Sequence, residues 1–251
     1  MNLINIILKM NSILKNVAWL MMVLAMCTGC SASNKAVSEN QGANRSFSVR
    51  GFDAIEHSGV GTIEIIQTSG EYYVKVNGTE RLVNATSATV DGNVLKIGQE
   101  SDYHGSRSAE HLTIIIGMPS LKSVLSRGVG DITINGLNQK SLSIETRGVG
   151  NIKISGLKCE SLDIESRGVG NANISGEVGN VKLSSRGVGN INTLNLIAKS
   201  VTAESRGVGN INCYASESID ATSHGLGNIK YKGNPSVKNI STSGMGHVKS
   251  Y

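Results

Sequence analysis

Five arginines recur at a nearly constant interval, Arg127, Arg147, Arg167, Arg186 and Arg206. Each opens the phrase Arg-Gly-Val-Gly, so a fold that stacks the copies lines the guanidinium groups into a row. Such a row is a candidate ladder for an anionic glycan or another envelope or host-surface component, engaged through several weak contacts at once. A harmless arginine spread by repeat duplication accounts for the same pattern. Glu145, Glu165 and Glu204 lie two residues before their arginines and face the same side of a strand. Stacked neighbours such as Glu145 and Glu165 would stand about 5 Å apart, a separation that retaining glycosidases use. Neighbouring guanidinium groups would keep both carboxyls ionised, so an exposed Glu/Arg lattice is the plainer account. Arg127 and Arg186 have Leu125 and Ser184 at the glutamate position, which leaves five cations against three anions.

Other chemistry finds less support. No Gly-x-Gly copy continues as Gly-x-Gly-x-x-Gly into a helix, so these glycines read as corners and not as a phosphate cradle. Calcium-binding nonapeptides have a period of about nine, and here only Asp131 supplies an acid at the matching place. The histidines His57, His104, His111, His224 and His247 show no paired spacing and read as surface or turn residues. No catalytic residue, metal site or cofactor is expected. Cys159 and Cys213 sit at different points of their repeats, which leaves a disulfide open without indicating one.

The elements that must position these side chains are themselves repeated. Seven copies of the phrase begin at Arg127, Arg147, Arg167, Arg186, Arg206, His224 and Ser243, spaced 20, 20, 19, 20, 18 and 19 residues apart. Within one copy, Asn151-Ile-Lys-Ile-Ser155 and Ser161-Leu-Asp-Ile-Glu-Ser166 alternate apolar and polar residues between glycines, and no helical period interrupts the array. Identical residues at equivalent positions favour a parallel β-helix, a solenoid of about 20 residues per coil, over an antiparallel meander, because in-register stacking rewards side-chain ladders. A right-handed coil is the default expectation. Ser126, Thr146, Ser166, Ser185, Ser205 and Ser223 would form one ladder, and Asp131, Asn151, Asn171, Asn190, Asn210 and Asn228 another. Ile144, Ile164, Leu183, Ala203 and Ala221 would stack inside. Residues 46–118 are less regular: they carry an Asp91-Gly92 turn and one faint copy, Ser58-Gly59-Val60-Gly61, and they read as an irregular β cap on the array at 119–251.

The first 29 residues read as a lipoprotein signal peptide, with Lys9 and Lys15 ahead of a short apolar stretch and Thr28-Gly29 ahead of Cys30. Cys30 is the candidate lipidation site, tying the chain to the outer membrane by a lipid anchor with the periplasmic or surface face open. Residues 30–45 read as a flexible tether and 46–251 as the folded domain. Removal of the signal leaves 22 cations against 19 acids, a net +3, and nucleic-acid binding loses its compositional support.

Phe52-Asp-Ala-Ile-Glu before the faint copy, Pro119-Ser-Leu-Lys at the start of the array, and Gly227-Asn-Ile-Lys-Tyr-Lys-Gly-Asn-Pro235 with Ser243-Gly-Met-Gly near its end resemble the putative auto-transporter adhesin head GIN domain family over roughly residues 47–251. The faithfully repeated arginine departs from the usual Ser-Gly-Ser-Gly phrase of that family. The resemblance implies an exported Bacteroidetes-type protein and adhesion. Together with the repeats it points to a non-enzymatic cell-envelope lipoprotein that presents a repetitive face as an adhesin or scaffold. A carbohydrate-active β-helix enzyme and a periplasmic structural module without external ligand are the alternatives.

Overall fold

In each copy the apolar residues at alternate positions point inward and rest on the same position of the next coil, so the chain winds into a β-solenoid of about 6 turns with roughly 20 residues per turn. The structure, a computed structural model, describes residues 42–99 and 110–251. Each coil contributes to two walls. The first wall holds β2 (Ala54–Ser58) and β8 (Ser123–Ser126). It continues through β10 (Asn138–Thr146) and the second arms of three long bent strands, β11 (Ile152–Ser166), β12 (Ala172–Ser185) and β13 (Ile191–Ser205), to β15 (Ser218–Ser223) and β17 (Val237–Thr242). The second wall holds β3 (Thr62–Gln67) and β9 (Ile132–Asn135), the first arms of β11 to β13, then β14 (Ile211–Tyr214), β16 (Ile229–Lys232) and β18 (Val248–Ser250). All pairings along both of these runs are parallel.

The register stacks Ile144, Ile164, Leu183, Ala203 and Ala221 in one column, each at most 1% exposed. Ile132, Ile152, Ala172, Ile191, Ile211 and Ile229 form its counterpart on the other wall. As the first column shrinks to alanine, the second wall changes from Thr193 through Cys213 to the buried Tyr231, which keeps the narrow interior filled. Cys159 is half-buried against the core, in register with Val178, and Cys213 is buried; both are free thiols, and burial pushes their pKa values up to about 11 and about 12.

The faint copy is a full member of the array, since β2 and β3 pair in register with β8 and β9 and Val60 bridges Val129. Beyond it the walls end differently. On the first wall, β6 (Val94–Gln99) pairs parallel with β2, then turns antiparallel into β5 (Thr86–Asp91) through Gly92, whose φ of 60° suits glycine in a tight hairpin. On the second wall, β7 (Leu112–Met118) follows β3, then β4 (Tyr73–Thr79) and β1 (Gly42–Phe47) close the sheet antiparallel. β1 therefore begins at Gly42, inside the segment read as tether.

The fold is nearly all β, as the sequence implies, with one short helix in the irregular first part. Glu80–Ala85 forms α1, which buries Leu82 and Val83. Arg45 Nη1 donates to the carbonyls of Asn84 and Thr86 at its C-terminal end. One and a half turns carry too little periodicity to be visible in the sequence; the apolar pair is helical because it plugs the first coil. At the opposite end the inward column Leu142, Leu162, Val181, Val201, Ile219 continues to Lys238, which is exposed in β17.

Candidate functional site, a laddered corner

Every Arg-Gly-Val-Gly phrase lies at one corner, where the chain leaves the first wall and starts the next coil on the second. The backbone ladder continues through it: Val149 N–H donates to Gly128 O at 3.1 Å and Gly150 N–H donates to Val169 O at 2.9 Å. Two glycines make this approach feasible. A Cβ on Gly148 would lie 1.7 Å from Gly128 O, and Gly150 has a φ of 153°. The residues between and beside the glycines point outward, so the corner displays arginine, valine and asparagine as three parallel rows.

The asparagine row is structural. Asn151, Asn171, Asn190, Asn210 and Asn228 each donate their backbone N–H to the side-chain oxygen one coil earlier, at 2.7–3.0 Å, and their Nδ2 points to the same oxygen. Asp131 begins the row because Thr62 below it offers no amide oxygen, so an acceptor-only carboxylate suffices. Gln99 closes the corner at the capped end, accepting from Val60 N–H at 2.6 Å and donating to Val60 O at 3.0 Å.

The valine row is a ridge. Val129, Val149, Val169, Val188 and Val208 are each 50–53% exposed, and the row continues through Leu226 to Met245 at 78%. Beside it, Arg127, Arg147, Arg167, Arg186 and Arg206 stack as anticipated, each backbone N–H donating to the Ser/Thr carbonyl one coil back or, for Arg127, to His57 O. Their charge is more fully balanced than the sequence suggested. Arg147 meets Glu145 at 2.7 Å, Arg167 meets Glu165 at 2.9 Å and Glu145 at 3.3 Å, and Arg206 meets Glu204 at 2.6 Å. Arg186 has Ser184 in its own coil and reaches sideways to Glu165 at 3.4 Å and Glu204 at 3.8 Å, covering the serine. Arg127 has Leu125 in its own coil and pairs with Glu56. Glu56 was missed, although it precedes the faint copy Ser58-Gly59-Val60-Gly61 by the same two residues as the other glutamates precede theirs. The stripe thus carries five cations against four anions.

Arg167 holds the Glu165 carboxyl below the usual carboxylate range, the opposite of what a general acid beside Glu145 requires. His57 corrects the reading of the histidines as surface residues. It occupies the serine column opposite Ser126, is 1% exposed, shares a 3.3 Å hydrogen bond with Ser126 through Nδ1, and has no partner for Nε2 among the described residues. Burial lowers its pKa to about 4. His111, His224 and His247 are exposed. Cys30 and His104 lie outside the described residues.

Comparison with known proteins bears on this corner and its scaffold. No curated protein matches the chain. Among solved structures it is similar to a putative adhesin from Bacteroides fragilis, at 37% identity and a TM-score of 0.81, covering 84% of this chain and 97% of that one. A putative lipid binding protein from Parabacteroides distasonis (21% identity, TM-score 0.66, 85% and 98% covered) and a putative adhesin from Parabacteroides merdae (18%, 0.65, 85% and 97%) share the fold. The family described as putative auto-transporter adhesin, head GIN domain, matches residues 51–235. With that match over the first coil and all of the array except its last coil, this chain belongs to the auto-transporter adhesin head GIN domain family.

Proposed function

We propose that this protein is an exported, non-enzymatic adhesin or scaffold of the cell envelope, held to the outer membrane by a lipid on Cys30, and that the laddered corner is its contact surface. The observation that carries the reading is the ridge from Val129 to Met245, half or more exposed in every coil and fixed by backbone and asparagine ladders. Soluble domains seldom leave so long an apolar row in water unless a partner covers it. The arginine and glutamate rows beside it give that partner a pattern of charge along the same axis, so contacts repeat at the coil spacing of about 4.8 Å. The names of the similar Bacteroides and Parabacteroides proteins support adhesion. The ionised Glu165 weighs against the carbohydrate-cleaving alternative.

Attachment of protein-coated beads to cells and to surface extracts tests this. Replacing Arg127, Arg147, Arg167, Arg186 and Arg206 by serine, and separately Val149, Val169 and Val188 by serine, should each reduce attachment while the protein remains folded. Attachment unchanged in both variants would sink the reading. For the anchor, Cys30→Ser should release the protein from the membrane fraction and abolish fatty-acid labelling; labelling that persists would remove Cys30 from consideration.

A further inference from the structure

The outer face of the second wall changes character in the last coils, away from the corner. One outward column there runs Asn192, Asn212, Lys230, Lys249, and the next runs Tyr214, Lys232, with Tyr251 following in the last coil. Tyr251 lies along the sheet: its Oη donates to Asn212 Oδ1 at 3.4 Å, across two coils. The Nζ atoms of Lys230 and Lys232 sit 5.7 and 5.0 Å from its ring centroid, and Tyr251 is 60% exposed. Ring and cations therefore share one solvent-facing surface. Among the described residues none of Lys230, Lys232 and Lys249 has an acidic partner, whereas each corner arginine has a glutamate within 3.4 Å.

This difference decides where an anion would go. A polyanion approaching the corner has to compete with fixed carboxylates, but at this face three cations keep their field. An exposed tyrosine offers an apolar ring face with a polar edge, and a row of amides offers donors and acceptors for hydroxyl groups. We propose that this face binds an acidic polysaccharide, with its carboxylate or sulfate groups on Lys230, Lys232 and Lys249 and a sugar ring against Tyr251. A membrane surface would require an apolar face to enter the headgroup layer, and asparagine columns provide none. Single-stranded nucleic acid would require a series of stacking rings, and one exposed tyrosine is a poor match. The inference rests on the adhesion reading for its setting and places the ligand on a different face from the corner.

The test uses the full-length Cys30→Ser chain and immobilised polygalacturonate, dextran sulfate and neutral dextran, with phosphatidylglycerol vesicles and single-stranded RNA as competitors. The parent should bind both acidic polymers, weakening with salt, and ignore dextran. Lys230→Ser/Lys232→Ser/Lys249→Ser should weaken binding roughly ten-fold or more with the melting temperature unchanged, and Tyr251→Ala roughly five-fold without altering the salt dependence. The five-fold arginine variant should bind within about two-fold of the parent. Equal binding by the lysine variant, equal binding of dextran, or stronger lysine-dependent binding of vesicles or RNA would each overturn the proposal. Polymer binding lost only with the arginines would overturn it too and leave the corner reading intact.

Discussion

Glu56 and His57 sit side by side in the first coil and set two different electrostatic conditions. The Glu56 carboxylate faces outward and neutralises Arg127, the one corner arginine with no acid in its own coil or the next that reaches it. The His57 imidazole faces inward and stays neutral, because burial outweighs its single hydrogen bond. With a folded pKa of about 4 against 6.5 unfolded, the unfolded chain takes up a proton across that window that the folded chain refuses. Stability therefore falls as pH drops from about 6.5 to about 4, by a total of roughly 3 kcal/mol at the acid limit. Lys122 beside Asp53 and Arg167 beside Glu165 hold those two carboxyls low, so they add their own loss only nearer and below their ordinary values of 3.8 and 4.5. Denaturant unfolding at pH 7 and pH 5 should show the decline, and His57→Gln should flatten it. A parent whose stability is constant between those values would show that His57 titrates normally.

At the scale of the element, the corner and the coil make separate demands. Gly148→Ala drives a Cβ into the backbone of the previous coil, and a cost of about 1–3 kcal/mol or more is expected from such overpacking. Val149→Ser, one residue on, removes a half-exposed side chain and should cost under about 1 kcal/mol. Thermal melting of the pair distinguishes a corner held by glycine from one held by its ridge. Deletion of residues 147–166 removes one whole coil and joins Thr146 to Arg167, which already contacts Glu145. The shortened protein should keep strand-type circular dichroism and a cooperative melt; a closed barrel would lose its closure. These elements were legible in the sequence because stacking rewards the same residue at each rung, so Ile144, Asn151 and Arg147 announce their neighbours. The first coil was harder to read, since its copy has serine in place of arginine and Glu56 lost its context. The cap was harder still. β1 pairs antiparallel with β4, 27 to 37 residues further on, and α1 buries Leu82 and Val83 at the open coil end, which no local period records.

Over the whole molecule the two ends are treated differently. The capped end has antiparallel strands, a helix and the Gln99 side chain; at the other, the outer edges of β17 and β18 have no strand partner among the described residues. Lys238 stands there in the column that holds Ile219 one coil earlier, an inward-pointing charge that discourages a second sheet from stacking on the edge. Lys238→Leu should therefore produce concentration-dependent association in sedimentation equilibrium, while the parent under the same conditions stays dispersed. The asparagine row adds a direction to this asymmetry. Each rung hands its oxygen to the coil that comes after it, so a finished coil presents ready acceptors to chain that has yet to arrive. A protein threaded through a secretion channel from its N-terminus could complete the cap first and then lay down one coil at a time on a rigid template. Past the cap, folding would keep pace with translocation, each new strand meeting a partner already in place.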